Sequence, residues 1–215
     1  MANHFYHYTT GETLESIFGE PGSKDLSYSD NGLMPVRRFV GLELFYAMRD
    51  TGYTLPEEVQ DGVSYGFLTQ LPEQWLIKEP YNTRSHFDDV IGSIYGSDDI
   101  ALLKINVGKD DEVYVVDHGV FSDGVEKYRA DPENELKHFY GAWQSYWESR
   151  VRLSDYDPQK HPMRRPEVVC FSRIPTSRVQ VLQIIERNKL KYEAAVAAGD
   201  DVVPLPVQKQ TPDDA

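Results

Sequence analysis

The sequence predicts an α+β protein in which short, mostly antiparallel strands outnumber a few short helices. Three observations predict it. Short apolar or β-branched runs recur over 5–9, 63–69, 100–107, 112–117, 167–171 and 179–185. Helical periodicity is strong in one stretch only, 133–153. No regular alternation of strand and helix, the mark of a parallel sheet, links these segments.

Along the chain, Phe5-Tyr6-His7-Tyr8-Thr9 is rich in strand formers and makes the first strand. Thr10 can cap a short helix carrying Leu14, Ile17 and Phe18 at helical spacing. Residues 19–31 read as a loop, Gly32-Leu33-Met34-Pro35 re-enters the fold, and Val40 to Met48 offers a second short helix. Val63 to Thr69 is the next strand. Pro72 then opens a helix through Trp75, at a position where its missing N–H costs nothing. The runs 100–107 and 112–117 flank Gly108-Lys109-Asp110-Asp111, so they are expected to pair as an antiparallel hairpin.

Leu136, Tyr140, Trp143, Trp147 and Val151 recur at steps of three and four, an amphipathic stripe expected to face a core. A polar loop over 155–165 leads to the last two strands, 167–171 and 179–185. The expected organisation is a folded unit over 1–186, a small helix over 187–198 and a loose acidic tail over 199–215.

Composition narrows the function classes. The 215 residues carry 35 acidic and 22 basic side chains, a formal charge of -13. That balance argues against sequence-blind binding to duplex DNA, which rests on neutralising many phosphates with Lys and Arg. Part of the excess sits in the tail, where Asp200, Asp201, Asp213 and Asp214 face Lys209 alone. Arg150, Arg152, Lys160, His161, Arg164 and Arg165 form a local basic segment that could meet an acidic partner, or simply be a solvated loop. No apolar run reaches the roughly 18 residues of a membrane span. The first residues lack the basic-then-apolar order of a secretory signal. A soluble acidic protein with no membrane partner is expected.

Several chemistries lack their residues. The six His are scattered, without the spacing of a metal site, so no metal is expected. Cys170 lies inside Val168-Val169-Cys170-Phe171, where a thiol is buried and inert. Neither a Gly-x-Ser-x-Gly elbow nor a phosphate-cradling glycine motif occurs. Single polar residues on strands remain. His7 has Thr9 on the same side two residues on, and by spacing alone fits a half-buried strand histidine before a ligand. Tyr65 precedes Gly66, where something can approach the backbone closely, and by spacing alone fits a core tyrosine first. Glu167 opens an apolar strand, either capping its edge in solvent or serving chemistry.

In order, Phe5-Tyr6-His7-Tyr8-Thr9-Thr10, Leu14-Glu15-Ser16-Ile17 and Asn31-Gly32-Leu33-Met34-Pro35 resemble the opening of the ADP-ribosyltransferase superfamily. The likeness is to the branch with a His-Tyr-Glu or His-Tyr-Asp triad, common among bacterial toxins and effectors. Val63 to Thr69 followed by Pro72-Glu73-Gln74-Trp75 resembles the Tyr-bearing second motif. Pro166 to Phe171 with Ile174-Pro175 resembles the third, which carries the acid. The resemblance runs from about residue 5 to 185. Two features depart from it: the gap over 19–30 is wide, and Arg165 stands where arginine-directed members carry Gln or Glu.

The resemblance implies a split β-sandwich with flanking helices and an NAD-dependent transferase, with NAD as substrate and no metal. It makes Glu167 the catalytic acid, with Asp117 as its rival. His7 would hold a ribose hydroxyl and Tyr65 would stack on nicotinamide. Tyr8, Thr9 and Trp75 would line the same pocket, and Arg37 and Arg38 would meet the phosphates. The implied acceptor is a protein, with nucleic acid as a lesser alternative, and a cognate antitoxin or immunity protein is an implied partner. The setting would be the cytoplasm, or a target cell's cytosol after delivery from a bacterial or phage source. A glycohydrolase with the same site, and an inactive interaction module using the Tyr140-Trp143-Trp147 stripe, are the alternatives.

Overall fold

Seven strands and two helices succeed one another among the residues that the computed structural model describes, namely 3–10, 17–18, 63–71, 99–131, 133, 135–186, 189–190, 193 and 197–198. The strands are β1 (His4–Thr10), β2 (Ser64–Gly66), β3 (Asp99–Asn106), β4 (Val113–Asp117), β5 (Val151–Arg152), β6 (Pro166–Cys170) and β7 (Val179–Glu186). The helices are α1 (His118–Ala130) and α2 (Glu135–Glu148). The strands form two sheets, a three-stranded one in the order β1-β3-β7 and a four-stranded one in the order β2-β6-β4-β5. Every pairing in them is antiparallel. The chain is therefore α+β, as its strand pattern predicts.

Alternation of side chains along each strand separates three apolar layers. Phe5, Ala101, Leu103 and Ile105 of the first sheet meet Val113, Val115, Val168 and Cys170 of the second in the central core. The other face of the first sheet carries Tyr8, Ile100, Leu102 and Ile185. The other face of the second sheet carries Tyr114, Val116, Val169 and Phe171, and α2 covers it with Trp143, Tyr146 and Trp147. The two Trp of the predicted stripe are thus core residues.

The expected hairpin between 100–107 and 112–117 does not form. Both edges of β3 are taken by β1 and β7, whereas β4 lies between β5 and β6. The connection instead carries the chain from one sheet to the other. Asp111 stabilises that crossing: its Oδ2 accepts the Gly108 N–H at 2.6 Å, and Arg178 Nη1 donates to the same oxygen at 2.5 Å. A turn motif reports that the chain reverses, and the partner of each strand is then chosen by the layer that its apolar face must fill.

Helix α1 has no counterpart in the sequence reading. Gly119 and Gly124 dilute its helical pattern, each costing up to about 1 kcal/mol relative to Ala in a helix interior. Tertiary contact explains Gly124, because a Cβ there would collide with Ala142 of α2. Asp117 stands just before the helix and accepts the Gly119 N–H at 2.8 Å, in the manner of an N-cap.

The two sheets meet edge to edge at one pair. Tyr6 and Phe67 exchange backbone hydrogen bonds, each 2.8 Å, which bring β1 alongside the end of β2. Gly66 makes the approach possible, since a Cβ on it would lie 2.6 Å from the Tyr6 carbonyl oxygen and against the Phe5 ring. Gly66→Ala is therefore expected to lower stability by about 1–3 kcal/mol through overpacking against backbone, outweighing the few tenths of backbone entropy that Ala restores. Urea unfolding checks this, and a variant as stable as the parent contradicts the close approach.

Candidate active site

The site grows from the place where β1 and β2 part. Alternation turns His7 to the same face of the first sheet as Phe5, toward the second sheet, and its Nδ1 lies 2.7 Å from the Tyr65 carbonyl oxygen. A carbonyl only accepts, so Nδ1 carries a proton, and Nε2 is an acceptor whenever the ring is neutral. His7 and Tyr65 are both half-buried. Register places Tyr65 beside Val169, and therefore on the α2-covered face of the second sheet together with Glu167.

Glu167 is 2% exposed and lies across from Val116 in the middle of that sheet. Leaving a carboxylate there without donors would cost several kcal/mol. Tyr146 of α2 supplies one: its hydroxyl donates to Glu167 Oε2 at 2.6 Å. Burial, and then the adjacent Glu167 charge and Tyr65, hold the Tyr146 hydroxyl well above the ordinary tyrosine range. Tyr65 packs against the cluster that contains Tyr146 and shares a sheet face with Glu167, one strand over. The first sheet reaches Tyr65 through the His7 bond to its backbone.

Other predicted residues go elsewhere. Tyr8 points to the opposite face of β1, packs on Phe67 at 6.0 Å between ring centroids, and accepts the Leu71 N–H at 2.8 Å. The structure does not bring it to His7. Burial pushes its hydroxyl above the usual tyrosine range, against the lowering effect of that N–H. Thr9 shares the His7 face and is buried, paired with Ala101. Trp75, Arg37 and Arg38 lie outside the described residues, as do the predicted helices over 40–48 and 72–75 and the tail.

Asp117 is occupied by architecture. Its carboxylate accepts three backbone N–H groups: Gly119 at 2.8 Å, Arg165 at 3.0 Å and Arg164 at 3.1 Å. It thereby caps α1 and fastens the 157–165 loop to it. Asp117 also donates its own N–H to Ser149 Oγ at 2.8 Å, and Ser149 Oγ donates to the Tyr146 carbonyl at 2.6 Å. Sequence reasoning passed over Tyr146, although it stands three residues after Trp143 and so falls on the inward face of the same helix.

The basic segment is mostly engaged. Arg152 pairs with Glu112, Arg164 with Asp123 at 2.6 Å and Lys160 with Asp157 at 3.6 Å. Arg150 lies 4.7 Å from the centre of the Trp147 ring and Arg165 donates to Ser122 at 3.3 Å. Arg150, Arg152, Lys160, Arg164 and Arg165 thus each meet a partner within the chain. Among the described residues, no three His, Cys, Asp or Glu side chains converge as a metal site would require. Nor is any helix among them long and apolar enough to cross a membrane.

Comparison with protein-family models, with curated proteins and with solved structures finds no match to the chain. The site is therefore argued from its own geometry.

Two outcomes follow from this geometry. Asp117→Ala strands buried N–H donors and removes a helix cap, so urea unfolding should show a loss of about 2–4 kcal/mol; unchanged stability contradicts the anchoring role. Burial pushes the Cys170 thiol up to about 12 from 9.0. Its unfolded form ionises first as pH rises, so this contribution to stability is intact below about pH 9 and is lost progressively toward pH 12. Replacing Cys170 by Ala should flatten that part of the alkaline stability profile, and an unaltered slope counts against a buried thiol.

Proposed function

We propose that this chain is an NAD-dependent ADP-ribosyltransferase, with Glu167 as its catalytic carboxylate and His7 and Tyr65 as its NAD-holding pair. One observation carries the reading. The His7–Tyr65 hydrogen bond joins the two sheets where they part, and Tyr65 shares a sheet face with a buried carboxylate held by Tyr146. A histidine on β1 thus bonds the backbone of a tyrosine on β2, one strand over from a glutamate on β6.

The residues present fit the nucleotide. In the neutral His7 ring Nε2 is an acceptor, suited to a ribose hydroxyl, because Nδ1 is committed to the Tyr65 carbonyl. The half-buried Tyr65 ring suits stacking on a flat heteroaromatic, worth about 0.5–1.5 kcal/mol beyond burial. NAD supplies the ADP-ribosyl group through its labile nicotinamide–ribose bond. An ionised Glu167 favours positive charge developing on that ribose and can accept the proton of the attacking group. Asp117, whose carboxylate is saturated by backbone donors, does not serve as the triad acid in this reading.

A protein acceptor is favoured over nucleic acid, since the basic segment is paired within the chain. Burial of Trp143 and Trp147 counts against an interaction module built on that stripe. Origin as a toxin or effector, and a neutralising partner, belong to the same proposal.

Labelled NAD incubated with the protein and a cell lysate tests it. Label on a macromolecule supports the transferase, free ADP-ribose alone indicates the glycohydrolase, and unconsumed NAD removes both. Glu167→Gln should lower NAD turnover by about 10²–10³, the usual cost of losing an electrostatic partner of the transition state, with the far-ultraviolet spectrum unchanged. His7→Ala should weaken NAD binding about three- to tenfold by calorimetry, as loss of one hydrogen bond does.

A further inference from the structure

A purely architectural contact between α2 and the second sheet needs no polar atoms. The layer beneath α2 includes Val63, Tyr114, Val116, Val169 and Phe171 below, with Trp143 and Trp147 above. In that layer a glutamate is buried and hydrogen-bonded by a tyrosine that is 1% exposed. Buried polar pairs of this kind often contribute nothing to stability, or less than apolar residues of the same volume. The pair therefore calls for an explanation other than packing.

Tyr146 is itself held from several sides. Trp143 meets its ring edge-on at 5.5 Å between centroids, Phe121 lies at 6.1 Å, and His118 approaches edge-on at 6.4 Å. Its backbone carbonyl is tied through Ser149 to the Asp117 N–H. The phenol is thus fixed independently of the carboxylate, and the 2.6 Å separation lies in the range of a charge-assisted O–H···O⁻ bond.

We propose that Tyr146 is a positioning residue for Glu167: its hydroxyl fixes Oε2 of the carboxylate in place and keeps the group ionised. This deepens the transferase reading and rests on it where turnover is concerned. Through Tyr146, helix α2 and its anchor at Asp117 determine where the proposed catalytic oxygen sits. The groups that meet the pair are Tyr65 from β2 and His118 from α1; His118 lies in turn against Ser122, to which Arg165 donates. Tyr146→Phe leaves all of them in place and removes one hydroxyl.

The test has an arm that does not depend on activity. Carbon-13 NMR of glutamate-labelled full-length chain follows the Glu167 carboxyl, assigned by its absence in Glu167→Gln. In Tyr146→Phe its midpoint should rise by about one pH unit or more, because the neutral acid no longer competes with a hydrogen-bonded anion. An unmoved midpoint overturns the proposal. In case Tyr146→Phe does not fold, tyrosine-labelled Glu167→Gln gives the reciprocal reading. Removing the negative charge should bring the Tyr146 ionisation to lower pH than in the parent, and an unchanged ionisation overturns the proposal equally.

With NAD, Tyr146→Phe should lower kcat about tenfold near neutral pH, leave KM within about threefold, and recover as pH rises and Glu167 re-ionises. A uniform loss at every pH marks a structural role and counts against positioning. Should the parent protein leave NAD intact, the transferase reading fails, and the NMR midpoints still decide what Tyr146 does.

Discussion

Two backbone hydrogen bonds between Tyr6 and Phe67 set where the first sheet touches the second, and most of the functional geometry depends on that junction. From it β1 and β2 diverge, so a side chain leaving β1 toward the second sheet reaches the Tyr65 backbone. The junction has no side-chain chemistry of its own. What it requires is an absence, the missing Cβ of Gly66, which lets the Tyr6 carbonyl and the Phe5 ring come close. A strand glycine thus serves here to bring two backbones together.

A second constraint works from the opposite side of the four-stranded sheet. Asp117 collects the start of α1, the 157–165 loop and, through Ser149, the end of α2. It is a buried carboxylate satisfied entirely by backbone donors, which is an inexpensive way to bury charge. Glu167, on the neighbouring strand and facing α2, has a tyrosine hydroxyl instead. Two carboxylates on neighbouring strands therefore have different environments, one suited to holding a corner together and one suited to chemistry. The comparison between them is what separates Glu167 from Asp117 as the acid of the proposed site.

Much of this organisation was readable in the chain. The strands at 5–9, 100–107, 112–117, 167–171 and 179–185 lie within a residue or two of β1, β3, β4, β6 and β7, because their runs of Val, Ile, Leu and Tyr have the period and length of half-buried strands. The inward stripe of α2 was visible in Trp143 and Trp147 for the same reason. Helix α1 was not, since Gly119 and Gly124 lower its propensity and only the contact with Ala142 accounts for the second of them. The hairpin expected at Gly108 to Asp111 failed because a turn motif cannot say which sheet each arm will join.

Of the candidate site, His7, Tyr65 and Glu167 were legible as polar residues on apolar strands, whereas their neighbours were not. Alternation alone could separate Tyr8 from His7, but it could not show that the Tyr8 hydroxyl is taken by Leu71. Nor could it show that the Trp143 face carries a third aromatic aimed at a carboxylate from twenty-one residues further along the chain. By itself the sequence determined the α+β class, the strands and the polar residues placed on them, because periodicity and side-chain chemistry are local properties. Only the tertiary structure decided which strands share a sheet, which carboxylate is spent on backbone donors and which tyrosine holds Glu167. Those outcomes depend on contacts between residues far apart in the chain, and on the close backbone approach that Gly66 permits.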